Sequence, residues 1–471
     1  MKKFIGLALI LTLIASSFTG CWFDKDPTEE EIQMTEKLTA IYEDLVKNIP
    51  DTSDAKAQRD YLFKWATDRD IPVSHDKQGN LIMSKKATEG YEDALATTFQ
   101  FTIGSGADIQ QYEGMATILY IMENVENHGF IRGLFTEVND NKFTGSQSLS
   151  TNYLKGDRLI NLTHGEKTLF TIGSAGKMDY EVYKPLQWST PSYPKAYEIS
   201  IKGLKSEDAG VVSGLHPNPI KTIGDFLASA KSKGLLIELA SFNGGDYADT
   251  YPSQATAVVL INENDEEKFQ NWFDNEKEKF DDKYEDLNTD DIPDNDYTFT
   301  LTPVQSPETV ISKEDSSQVF GLIYTMINGT YMKTDEKELI ALSNIGYIST
   351  QSGNLELGIT GKSLNDEILS EMNSTFKVIC GLNDATIEIT DTFPTWTANE
   401  ESPLLLYLTD KFKTDFDKKV KSTSVLTTSE CAVFKNKKDA LDVISMSVNF
   451  ENGVHEIEVL CSMLADNSTN M

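Results

Sequence analysis

Apolar positions recur at helical spacing through Leu38, Ile41, Tyr42, Leu45 and Val46, which predicts a helix with one buried face. Its start is read at Asp26 as N-cap, with Pro27 at the first helical position and Glu29 closing a capping box. A second helix is predicted over Ser53–Asp68, packing Tyr61, Leu62 and Trp65. Strand-like runs then alternate with helical ones. Strands are predicted at Asn80–Ser84, Leu95–Ile103, Phe130–Glu137 and Leu159–Leu162, and helices at Gly114–Glu126 and Gly145–Tyr153. This alternation indicates an α/β layer with a mostly parallel sheet.

The texture changes near Tyr193. From there the pattern predicts strands at Tyr197–Gly203, Leu235–Ser241 and Ala255–Asn262, and a helix at Pro219–Gly234. A long acidic helix, Asp265–Leu287, carries Phe269, Trp272, Phe273, Phe280, Tyr284 and Leu287 on one face. Strand Tyr297–Pro303, helix Ser317–Asn328 and a hairpin of Ile340–Thr350 with Asn354–Thr360 around Ser352-Gly353 follow. Helix Ser363–Gly381 and strand Ala385–Thr390 complete a β-α-β-β-like unit used about twice. After Trp396 the α/β texture returns with helix Ser402–Phe416, strand Val443–Asn449 and helix Val454–Ala465. The expected organisation is a signal segment over 1–20, an α/β domain over 21–192 and 392–471, and an inserted α+β domain over 193–391.

The N-terminus changes the compartment. Lys2 and Lys3 precede an apolar core, Phe4–Phe18, too short to span a bilayer comfortably, and the stretch closes on Phe18-Thr19-Gly20-Cys21. Small residues before a cysteine suit lipoprotein processing, with Cys21 becoming the lipidated N-terminus. Acyl chains contribute about 0.8 kcal/mol per buried methylene, so two or more hold firmly. An ordinary secretory signal and an uncleaved anchor are the alternatives. The expectation is a protein on the extracytoplasmic face of the cell membrane, held by lipid on Cys21. The formal charge is -32, and removing residues 1–20 takes it to about -34. Such a body is repelled by nucleic acid and by anionic lipid, which disfavours both as partners. Cys380, Cys431 and Cys461 are widely spaced, odd in number and without a C-x-x-C, which reads as buried thiols rather than disulfides or a thiolate zinc site.

Catalytic motifs are mostly wanting. The chain has no His-Glu-x-x-His, no Gly-x-Ser-x-Gly and no phosphate-binding loop. Thr171–Lys177 ends in Gly-Lys, but Thr171 stands where the first glycine of such a loop belongs, so a turn is expected. Asp286–Asp296 alternates carboxylates like a calcium loop but has Asp291 at the glycine position and Tyr297 at the closing glutamate, so a solvated loop is expected. None of the five histidines, His75, His128, His164, His216 and His455, lies within four residues of another. Each taken singly reads as surface or structural.

An ordered set of short stretches does point to a family. Asp76-Lys77-Gln78-Gly79-Asn80-Leu81-Ile82 forms a D-x-x-G-N-x-x hairpin, Gly114-Met115-Ala116 opens a helix, and Thr136-Glu137 ends a strand. Leu159-Ile160-Asn161, Ile201–Lys205, Phe242–Gly245, Phe393-Pro394-Thr395-Trp396, Ser402-Pro403 and Ser429-Glu430-Cys431 continue the order. Together they resemble the Xaa-His dipeptidases (aminoacyl-histidine dipeptidase, PepD-like), a branch of the two-zinc metallopeptidases, from about residue 36 to 467. The resemblance implies a three-layer zinc-exopeptidase-like domain with an inserted lid that also dimerises, and two zinc ions with a glutamate activating the bridging water.

Carried over position by position, that chemistry has lost its ligands. The first ligand histidine falls at Thr102, the aspartate two residues on at Gly104, and the bridging aspartate at Gln110. The ligand glutamate falls at Val138 and the next aspartate at Thr163; the last ligand histidine has no counterpart, His455 lying a few residues beyond. Glu137 survives at the general-base position. The lid positions that reach the substrate fall at Asp208, Asp249 and Ser253. Zinc takes nitrogen, sulfur or carboxylate donors at about 2.0–2.3 Å, which threonine, valine and an amide replace poorly. Three readings follow. In the first the protein binds a peptide, amino acid or protein partner without catalysis or cofactor, using Thr102, Gln110, Glu137, Thr163, Asp208 and Asp249, the last two favouring a cationic ligand. In the second it is a structural or interaction module, dimeric through the insert. In the third it is a residual Xaa-His dipeptidase holding zinc through His164 and His455.

Overall fold

The structure, a computed structural model, describes residues 27–138, 143–211, 217–284 and 297–466. Cys21 and its signal segment, His216, and the carboxylate run 286–296 lie outside the described residues. The strands are β1 (Val73–His75), β2 (Leu81–Lys85), β3 (Thr97–Ile103), β4 (Ile131–Glu137), β5 (Arg158–His164) and β6 (Leu169–Ser174). They continue as β7 (Gly176–Pro185), β8 (Trp188–Ser189), β9 (Lys195–Lys202), β10 (Ile237–Gly244), β11 (Ala255–Ile261), β12 (Thr298–Pro303) and β13 (Val310–Ile311). The last are β14 (Gly329–Lys333), β15 (Leu339–Ser349), β16 (Asn354–Ser363), β17 (Thr386–Phe393), β18 (Lys421–Val425) and β19 (Asp442–Val448). The helices are α1 (Glu29–Asn48), α2 (Ala55–Thr67), α3 (Tyr112–Asn124), α4 (Thr144–Ser148), α5 (Pro219–Ser232) and α6 (Glu266–Tyr284). Then come α7 (Lys313–Thr325), α8 (Asp366–Leu382), α9 (Pro403–Phe416), α10 (Glu430–Lys437) and α11 (His455–Ala465).

The chain divides into two compact units. The first holds residues up to Ile172 together with Ala398–Thr423 and everything from Glu430. Its sheet runs β1-β2-β4-β3-β5-β19-β6-β18. The centre is parallel, β4 with β3, β3 with β5 and β5 with β19, whereas β1, β2 and β6 run antiparallel to their neighbours. The mixed α/β class expected from the alternating pattern is thus observed. Central strands are buried along most of their length because both faces are covered, although they mix apolar residues with Thr, Gln, Asn and Ser; Phe99, Phe101, Ile103, Ile160 and Leu162 pack with Met115, Leu119, Leu405, Leu408 and Leu460 in one core.

The second unit holds Gly173–Thr397 and Ser424–Ser429. Its nine-stranded sheet orders β12-β9-β11-β10-β15-β16-β7-β17, with β14 paired to β15, and every pairing is antiparallel. The expected hairpin is β15–β16, turning at Gly353, whose φ of +83° suits a residue without a Cβ. Phe269, Phe273 and Phe280 of the acidic helix α6 sit in this unit's core, as its apolar stripe predicts.

Several local expectations are corrected. The first helix is capped by Thr28, not Asp26: the Thr28 side chain accepts from the Glu31 backbone N–H, and Glu31 reaches back to that of Thr28. Thr171–Lys177 is not a turn but the end of β6 and the start of β7, since β7 is paired on both sides, by β16 and β17. Gly145–Tyr153 is only the one-turn helix α4 followed by a 3-10 turn over Thr151–Leu154. The second unit's bounds are Gly173 and Thr397, where the sequence placed them at 193 and 391. Cys380, Cys431 and Cys461 are free thiols. Among the described residues no helix is long and apolar enough to cross a membrane.

Candidate functional site

The hairpin of β1 and β2 builds the base of the site. Asp76 accepts from the Gln78 and Asn80 backbone N–H groups at 2.9 and 3.0 Å, and from the Asn80 amide at 2.7 Å. Asn80 in turn accepts from the Glu137 backbone N–H at 3.0 Å and donates to the Gly145 carbonyl at 2.9 Å. The D-x-x-G-N stretch therefore fixes the end of β4. Gly79, at φ +91°, lies so close that a Cβ there would fall 2.1 Å from Glu137 Oε2.

Glu137 is committed to an ion pair. Arg59, on α2, places Nη1 2.6 Å from Glu137 Oε2, with the two side chains 22% and 16% exposed. A cavity of about 720 Å³ opens beside this pair, lined by Arg59, Asp60, Phe63, His75, Asp76 and Lys77 among others. Of the six ligand-binding candidates only Glu137 lines it.

Where the first zinc ligand was expected, Thr102 hydrogen-bonds instead. Its Oγ1 donates to Glu430 Oε2 at 2.6 Å, and Gln100 Nε2 donates to the same oxygen at 2.9 Å. Gln100 also donates to Thr136 at 2.8 Å and accepts from Asn161 Nδ2 at 2.7 Å, and Ser445 donates to Asn161 at 2.6 Å. One chain of uncharged polar groups thus crosses β19, β5 and β3 to α10. Glu430 is buried, so desolvation pushes its carboxyl up from the ordinary range despite the bonds it accepts from Thr102, Thr136, Ser146 and Gln100.

The other expected positions scatter. Gln110 is exposed in the 3-10 turn Ile109–Gln111, Val138 is buried and apolar, and Thr163 is half-buried near the end of β5. His164 places Nδ1 3.1 Å from Glu113 Oε2, and its N–H is accepted by Gln111. Among the described residues, His455 groups with Glu31 and Glu458, not with Glu137 or His164. In the second unit, Asp208 accepts from Lys362 at 2.6 and 2.7 Å, and Asp249 accepts from Lys177 at 3.1 Å. Lys362 matches Asp208, whereas Lys177 is shared by Asp249 with Asp179 at 2.6 Å and Asp391 at 3.8 Å, so negative charge stays in excess around Asp249. Two zinc ions do not fit the residues at the expected ligand positions: Thr102, Gln110, Val138 and Thr163 offer two hydroxyls, an amide and an isopropyl group.

Residues that sequence reasoning passed over include Arg59, Gln100 and Ser445. Arg59 carries no local signal, its partner being far along the chain. Gln100 does carry one, as an amide between Phe99 and Phe101 in a strand buried along most of its length.

The parallel-centred sheet, the antiparallel second unit and the hairpin-tethered Glu137 at a strand end define a dipeptidase-like protein of mixed α/β fold. It is related to the PepD-like branch of the dipeptidases. The chain is 23% identical over 427 residues to the cytosol non-specific dipeptidase of Escherichia coli (strain K12), covering 82% of this chain and 86% of that one. Its fold matches that of aminoacylhistidine dipeptidase from Vibrio alginolyticus with a TM-score of 0.73 and 22% identity, over 91% of this chain and 96% of that one. No family model matches the chain.

Proposed function

We propose that this is a lipid-anchored, extracytoplasmic binding protein on a dipeptidase-like scaffold, without the zinc hydrolysis of the enzymes it resembles. The observation that carries the reading is the Arg59–Glu137 pair at 2.6 Å. A general base must accept a proton from a water polarised by metal. Glu137 instead serves a guanidinium, and the neighbouring ligand position, Thr102, serves Glu430. The cavity at that pair mixes Arg59, Lys77 and His75 with Asp60, Asp76 and Glu137, a lining that suits a zwitterion such as a free amino acid or a short peptide.

The test is hydrolysis of an Xaa-His dipeptide by the purified protein, with and without added Zn²⁺, beside thermal shifts with amino acids and dipeptides. Expected are no turnover above background in either condition, and a ligand-dependent rise in Tm that Arg59→Gln abolishes. Zinc-stimulated turnover that Glu137→Gln removes would establish the residual hydrolase instead.

A further inference from the structure

His455 and Glu458 stand three apart on α11, on one face of the helix, and Glu31 faces them from the first turn of α1. One imidazole nitrogen and one carboxylate oxygen from each glutamate lie within 4.8 Å of one another. We propose that these three side chains form a binding site for one divalent transition cation of the zinc class, clamping α1 to α11 away from the Glu137 pocket.

Three observations bear on this. The first is ligand chemistry: one imidazole and two carboxylates suit zinc and its neighbours, whereas calcium and magnesium sites are built from oxygens alone. Three protein donors with open positions for water is a usual zinc arrangement. The second is an orphaned atom: Glu458 Oε2 is shielded from solvent and has no hydrogen-bond partner among the described residues. A buried carboxylate oxygen left unmatched is costly unless something positive meets it. The third is orientation. The His455 ring is stacked on Phe416 with centroids 4.2 Å apart and planes 22° apart, which holds the imidazole in one plane. The nearby lysine does not supply the missing charge, because Lys418 pairs with Glu456, 3.2 Å away.

Glu31 also caps α1, one carboxylate oxygen accepting from the Thr28 N–H. The site is independent of whether the Glu137 pocket binds or cuts. It also means that total zinc content by itself says nothing about the pocket.

The experiment uses the full-length, untagged protein, stripped of metal and titrated with Zn²⁺ alone by calorimetry, beside His455→Gln, Glu458→Gln and, for location, His164→Gln. Losing even an outer partner of a metal ligand costs roughly 10- to 100-fold in affinity, so losing a ligand costs at least about tenfold. Expected are one Zn²⁺ per chain in the wild type, weakened at least about tenfold by His455→Gln and by Glu458→Gln and unchanged by His164→Gln. Metal-free Tm values keep the test sound, since Glu458→Gln removes a half-buried charge and leaves the apo fold at least as stable. No saturable binding by the wild type, binding that either His455→Gln or Glu458→Gln leaves intact, or binding that His164→Gln removes, each overturns the proposal.

Discussion

Gly79 shows how tightly one position can be specified. Its φ of +91° is a backbone state that side-chain-bearing residues rarely adopt, and an added Cβ would lie 2.1 Å from Glu137 Oε2 and 2.3 Å from Arg59 Nη1. Gly79→Ala must therefore strain the turn and push the ion pair apart. The expected loss is about 2–4 kcal/mol, combining backbone strain with a disturbed, partly buried charge pair. Urea denaturation would show it as a lower midpoint, and an unchanged midpoint would mean that Arg59 and Glu137 are free to swing aside. The need for glycine here was legible in the sequence as part of the D-x-x-G-N stretch. The partner that makes the need so strict was not, because Arg59 sits on α2 with nothing in its neighbourhood to mark it.

Among elements, strand and helix existence was read more surely than extent. The helix expected at Ser53–Asp68 forms over Ala55–Thr67, and the strand expected at Ala255–Asn262 over Ala255–Ile261, since each carries its own apolar period. β7 escaped because its reason to be a strand lies elsewhere: it is held between β16 and β17, far down the chain, while Gly173 and Gly176 locally suggest a turn. The Ser445–Asn161–Gln100–Glu430 chain likewise joins β19, β5, β3 and α10, and its end group gives a pH prediction. Burial raises the Glu430 carboxyl in the folded state above its ordinary value of 4.5. A raised carboxyl means that the native protein keeps a proton the unfolded chain gives up. That stabilisation is whole below the unfolded value and is lost as pH rises through the folded one, at up to about 1.4 kcal/mol per pH unit. Glu430→Gln should therefore gain on the wild type as pH is raised from about 5 to about 8, read from denaturation midpoints at several pH values. Parallel curves for the two proteins would show that Glu430 is ionised when folded.

For the whole molecule, fold class and kinship were legible because many short matches keep their order along the chain, although none is distinctive singly. The hydrogen bonding around the expected ligand positions was not legible: the residue types at Thr102, Gln110, Val138 and Thr163 do not tell that Thr102 donates to Glu430 or that Arg59 pairs with Glu137. The proposed anchor adds a prediction at this scale. Cys21→Ala should move the protein from the detergent-rich to the aqueous phase on Triton X-114 partition, while the native protein stays with the detergent. Partition of both forms into the aqueous phase would remove the anchor from the proposal.

The bounds of the second unit carry one more consequence. Ser174 and Trp396 exchange backbone hydrogen bonds, 2.9 Å in one direction and 3.0 Å in the other, so the two ends of its main segment, Gly173–Thr397, are zipped side by side. The segment Gly173–Thr397 thus leaves and returns at neighbouring points, and the entropy of closing a loop grows only slowly with its length. Residues added to a surface loop inside that segment would leave its paired ends where they are, so the chain on either side need not shift to accommodate them.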